Sequence, residues 1–82
     1  MTNKRKHQLE RKVRMDFNNF NKIIYPKELG IALLEQITRL ILDRIKLLKY
    51  TGRLTVIEAY FTSECVRTYY WHYIKLMDNF YD

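Results

Sequence analysis

The sequence predicts an all-α fold, and three observations carry that reading. Residues 26–50 run at helical periodicity without a break. Thr55 and Glu58 form a T-x-x-E capping signature that opens a further helical stretch. Two glycines and one proline in 82 residues leave little room for the tight turns of a β-rich fold.

The stretch 26–50 organises the chain. Pro26 suits a first helical turn, where its missing N–H is not needed. Glu28 complements the positive end of the helix dipole, and Lys46 and Lys49 the negative end. Gly52 stands where a left-handed cap residue is expected. A helix of this length would span about 37 Å at ~1.5 Å per residue. Glu28, Glu35, Arg39, Asp43 and Lys46 make one polar stripe, with i,i+4 pairs inside it. Leu29, Leu33, Leu34, Ile37, Leu40, Ile41, Ile45 and Leu48 cover the other side, widened by Ala32, Leu42 and Leu47. So broad an apolar surface on so short a chain predicts cover from its own neighbours and from a second chain. A membrane span is excluded, because five charged side chains fall from Glu35 to Lys46.

Upstream, residues 1–7 are polar and are expected to be disordered in isolation. From Gln8 the apolar positions Leu9, Val13, Phe17, Phe20 and Ile24 fit one helical face. Asn18, Asn19 and Asn21 weaken its middle, so a single helix over 8–24, or two with a break near 16–19, is expected. Tyr25 before Pro26 sets a short connection. Downstream, residues 51–54 make a brief loop before the helix that Thr55 caps. Ile57, Phe61, Cys65 and Val66 fall on one side of it. Residues 69–81 then crowd six aromatic rings with Ile74, Leu76 and Met77, and contain no glycine or proline. They either continue that helix or form a fourth. Tyr69, Tyr70, Trp71 and Tyr73 either cover the core or present a partner-binding surface, the kind of site where Tyr and Trp are enriched.

Charge is concentrated at the start. Lys4, Arg5, Lys6, Arg11, Lys12 and Arg14 stand against Glu10 alone in residues 1–14, within a formal net charge of +6. This divides the chain into a basic arm, 1–14, and a nearly neutral helical domain, 15–82. A basic arm suits phosphate backbones. Nothing at the start reads as a signal peptide, and the lone Cys65 permits no internal disulfide. An intracellular compartment is expected. No phosphate loop, nucleophile motif or metal-ligand spacing is present, and His7 and His72 are far apart. The chain is therefore read as a binding protein, not an enzyme, with no cofactor, no metal, no small-molecule substrate and no membrane association.

The residues from about 20 to 68 resemble a histone fold. Positions 46–55 read Lys-Leu-Leu-Lys-Tyr-Thr-Gly-Arg-Leu-Thr. This is similar to the end of the central helix and second loop of archaeal histones, which typically read Lys-Leu-Ala-Lys-His-Ala-Gly-Arg-Lys-Thr. Ile24-Tyr25 and Gly30-Ile31-Ala32-Leu33 resemble the start of that helix. The resemblance implies a short helix, a long central helix and a short helix, followed here by an extra C-terminal segment. It implies a handshake dimer with itself or another histone-fold chain, through Leu33, Leu34, Ile37, Leu40, Ile41, Ile45 and Leu48. It implies sequence-independent contacts to duplex DNA from Arg53 and Thr55, with Lys27 and Lys22 near the first loop and the arm's cations adding affinity. It also implies a nuclear or nucleoid location, or alternatively a subunit of a centromeric or transcription complex. A third alternative, a small viral or mobile-element inhibitor of a host protein, owes nothing to the resemblance. The sequence departs from the family at Tyr50, Leu54 and Tyr60, where a His, a Lys and an Asp are usual. Without that Asp, Arg53 is left to Glu58 or to solvent.

Overall fold

The computed structural model of the chain describes residues 1–20 and 26–81. Three helices account for nearly all of them: α1 (Asn3–Phe20), α2 (Lys27–Tyr50) and α3 (Val56–Tyr81). No strand occurs among the described residues. The all-α reading holds, but the short–long–short order does not. The helices have 18, 24 and 26 residues.

α1 begins at Asn3 and runs unbroken through Asn18 and Asn19, so the arm is not loose. Two features extend it. Its first turn is clipped to α3 by Arg5, whose Nε donates to Glu58 Oε2 at 2.5 Å. Its last turns are anchored by Phe17 and by Asn18, whose Oδ1 accepts from the Tyr73 hydroxyl at 3.0 Å. Tertiary contacts of this kind override a mediocre local propensity. The boundary drawn after residue 14 falls inside this helix, with Leu9 and Val13 on its arm side already buried in the core. The expected end of α1 near residue 24 lies outside the described residues.

The α2 boundaries follow the local signals. Helix geometry starts at Lys27, with Pro26 just outside it and the Pro26 carbonyl accepting from Gly30 N–H at 2.7 Å. At the far end Arg53 N–H donates to Leu48 O (2.9 Å) and Gly52 N–H to Lys49 O (3.1 Å). This is the Schellman pattern, and it places Gly52 at φ +78. Thr55 and Glu58 then close the capping box in both directions: Glu58 N–H donates to Thr55 Oγ1 at 3.0 Å, and Thr55 N–H to Glu58 Oε1 at 2.9 Å. Without glycine or proline beyond Thr68, α3 simply continues to Tyr81.

The core lies along α3. Leu9, Val13 and Phe17 reach it from α1, and Leu34, Ile41 and Ile45 from α2. Ala59, Val66 and Tyr73 meet them from α3, while Leu54 closes the turn end. Phe17 stacks between Tyr69 (centroids 6.0 Å) and Tyr73 (5.6 Å). Contacts 5–58, 14–69 and 18–73 rise together, so α1 and α3 are parallel. Glu35–Tyr70 and Lys27–Asp78 run in opposite senses, so α2 is antiparallel to α3.

This packing corrects the expected handshake surface. Leu34, Ile41 and Ile45 are buried inside one chain, and Leu33, Ile37 and Leu48 pack partly against the same core. Leu40 alone of that set is exposed. The reason is the length of α3, which packs along this α2 face, with α1 laid against α3 beside it. The aromatic segment is likewise mostly consumed. Of the four rings from Tyr69 to Tyr73, Tyr73 is buried, Tyr69 and Tyr70 are half-buried and Trp71 stands exposed.

Candidate polyanion interface

Because α1 and α3 are parallel and α2 returns between them, the start of α1 and the α2–α3 turn share one end of the molecule. Residues 1–12 and 40–66 build that half. They hold Lys4, Arg5, Lys6, Arg11, Lys12, Arg44, Lys46, Lys49 and Arg53 against Glu10, Asp43, Glu58 and Glu64, nine cations against four carboxylates. The remainder of the sequence is nearly balanced. The molecule therefore has a basic pole.

Not all of these cations are available. Arg5 is engaged by Glu58, and Arg44 is engaged by Asp16. Arg14, just outside this half, donates to the Tyr69 hydroxyl at 3.0 Å and to Glu10 at 3.2 Å. The Tyr69 contact, helped by Glu10, raises its already high pKa, so it is a fixed cation. Lys4, Lys6, Arg11, Lys12, Lys46, Lys49 and Arg53 are exposed and have no ion-pair partner among the described residues. Glu58 does not reach Arg53. One of its oxygens accepts from Thr55 N–H and the other from Arg5, and these bonds hold its carboxyl below the usual value. Thr55 is exposed, and its hydroxyl, an acceptor in the cap, keeps its own proton to donate.

The other expected phosphate contacts do not join this pole. Lys27 sits at the opposite end of α2, 3.5 Å from Asp78. A 24-residue helix puts it on the order of 35 Å from Arg53. Lys22 lies outside the described residues. Conversely, Arg44, Lys46 and Lys49 join the pole although the sequence marked only the lysines, as dipole partners.

A groove of about 480 Å³ opens between α1 and α2 at this same pole. α1 lies against α3 rather than α2, which leaves the space. Its floor is apolar: Leu9, Val13, Ile41, Ile45, Leu48 and Leu54. Arg5, Lys12, Arg44 and Arg53 line its rim. No local signal could have revealed it, since its walls come from stretches some forty residues apart.

Cys65 is half-buried, and burial raises its thiol pKa, which keeps it protonated and a poor nucleophile. His72 packs edge-on to Tyr73. Among the described residues no cluster of His, Cys, Asp or Glu could hold a metal ion. No helix among them is long and apolar enough to cross a membrane. No family model, no curated protein and no solved structure matches the chain.

Proposed function

We propose that this chain binds the phosphate backbone of duplex DNA without reading its sequence, as a small chromatin- or nucleoid-type protein. The observation that carries the reading is the basic pole, with Lys4, Lys6, Arg11, Lys12 and Arg53 unpaired on a rigid helical frame. Cations carried on helices lose little backbone freedom on binding, and a phosphate rewards each one by counterion release. Arg53 donates several N–H groups, and Thr55 adds a hydroxyl at the N-terminus of α3. The proposal keeps the phosphate contacts of the histone resemblance but not its handshake, whose central leucines and isoleucines are in this chain's own core.

The test is fluorescence anisotropy with a short duplex over a series of salt concentrations. If the seven unpaired cations of the pole, Lys46 and Lys49 included, each meet a phosphate, log K against log salt should fall with a slope of about −6. Lys12→Glu and Arg53→Glu should each weaken binding and flatten that slope. Lys75→Glu, on the far half of α3, should leave both nearly unchanged. Salt-insensitive binding, or an equal loss from Lys75→Glu, would sink the reading.

A second reading is an interaction subunit. One line of α2 leaves Leu29, Leu40 and Leu47 exposed, eleven and seven residues apart. A partner helix laid along that line would cover them. A chain that stays monomeric in sedimentation at high concentration, and gains no stability from any candidate partner, counts against it.

A further inference from the structure

We propose that the groove between α1 and α2 binds a small amphipathic anion: one carboxylate or phosphate head on an unbranched apolar body of roughly ten carbons. The inference does not rest on the DNA reading, although the two share Lys12 and Arg53. Three features of the groove select this class. Its floor is aliphatic apart from Thr62 of α3, whose hydroxyl already donates to Glu58 O, so it offers little to a polar body. Its rim carries four cations, one neutral polar side chain in Gln8 and no carboxylate, which gives charge complementarity to an anion. Two rim cations, Arg5 and Arg44, are already answered by Glu58 and Asp16, while Lys12 and Arg53 have no carboxylate among the described residues. The head would sit at Lys12 and Arg53, and the tail over the floor.

Size excludes the larger alternatives. The α1 wall runs from Arg5 to Val13, about 12 Å of helix. A docked helix is itself about 10–12 Å across and needs a longer seat than that. A duplex can reach the rim but not the floor. A volume of about 480 Å³ lies within the range of small-ligand sites.

The experiment is an NMR titration of the full chain with decanoate, with 1-decanol and inorganic phosphate as separate controls. Decanoate should bind saturably at one site and move the amides of Leu9, Val13, Ile45 and Leu54. Decanol and phosphate, each carrying half of the chemistry, should bind at least about tenfold more weakly. Lys12→Gln and Arg53→Gln should each weaken decanoate about tenfold and leave decanol unchanged. Leu48→Trp, which fills the groove from a half-buried position, should abolish decanoate binding while the salt-dependent affinity for DNA persists. If that variant does not fold, the two Gln variants decide. Equal binding of decanol and decanoate, shifts clustered at Tyr60 and Trp71 instead of the groove, or Gln variants that bind as well as the parent would each overturn the proposal. DNA is absent from this titration, so its failure and the failure of the DNA reading are separate results.

Discussion

Phe17→Ala is the substitution that bears most directly on the fold, because it asks whether α1 is structural or only an appendage. Phe17 has no exposed surface and its ring lies between Tyr69 and Tyr73, at interplanar angles of 26° and 17°. Removing a fully buried ring costs about 3–5 kcal/mol, the sum of lost transfer energy and an incompletely collapsed cavity. A chain of 82 residues has a total stability of roughly 4–12 kcal/mol. The variant should therefore lose a quarter of its stability at the least and be unfolded at the worst. In a domain of this size each kcal/mol moves Tm by about 4–8 °C, so a fall of at least about 12 °C is expected. Urea unfolding followed by far-UV circular dichroism measures this, with the midpoint and the slope read separately. Tyr73→Phe is the graded companion: it removes only the hydroxyl bonded to Asn18 and should cost about 1 kcal/mol. A loss below about 1 kcal/mol for Phe17→Ala at unchanged slope would refute the packing. Residues 1–20 would then be the loose basic arm that the composition of 1–14 first suggests.

Substitutions at three further positions probe the turn and the core. Gly52→Ala should destabilise the fold by about 1 kcal/mol, and Gly52→Asn by less: an added Cβ meets nothing within 4 Å, so the cost is the φ of +78 alone. Thermal melts of the two variants side by side give the comparison. The Glu58 carboxyl titrates below its ordinary value of 4.5, first because Thr55 N–H donates to it and then because Arg5 does. A folded-state pKa below the unfolded one stabilises at neutral pH and ceases to do so as pH falls through the folded value. Stability should thus decline on acidification below about 4.5, and Glu58→Gln should remove part of that decline in a pH series of urea midpoints. Thr38 is buried in α2 and its hydroxyl has no hydrogen-bond partner among the described residues. Thr38→Val should therefore leave the protein as stable or raise its unfolding free energy by about 1 kcal/mol in the same assay, and a marked loss would mean the hydroxyl is satisfied.

The parts of this fold that were legible in the sequence are those set by residues a few positions apart. The C-cap at Gly52 and the capping box of Thr55 and Glu58 form as read, because each closes within six residues. The exposed stripe of Glu28, Glu35, Arg39, Asp43 and Lys46 also follows from periodicity alone. The start of α1 was not legible. Its first apolar anchor is Leu9, and what holds the preceding turn is a bond from Arg5 to a residue 53 positions away. The α2 face was read correctly as apolar, and Leu34, Ile41 and Ile45 of it are covered within the chain. Periodicity says that Leu34, Ile41 and Ile45 must be covered, but which chain covers them depends on how far α1 and α3 extend. Nothing local to residues 69–81 fixes whether α3 continues or breaks.

The charge excess was plain in the composition, yet its functional meaning depends on the topology. Had α1 run antiparallel to α3, Lys4 and Lys6 would lie near Lys27 and Asp78, and the pole at Arg53 would lose its strongest contributors. The parallel arrangement rests on Leu9, Val13 and Phe17 packing against α3, and Glu58, with two oxygens and three candidate donors, clips its turn end. Oε1 takes the Thr55 N–H, which the start of α3 requires, and Oε2 takes Arg5, which brings the basic end of α1 to the turn. Both oxygens are then occupied, and Arg53 is left facing solvent on the groove rim, which Lys12 also lines. The same carboxylate thus gathers the cations and leaves the central one unneutralised. A bound phosphate or carboxylate is the group best placed to answer it.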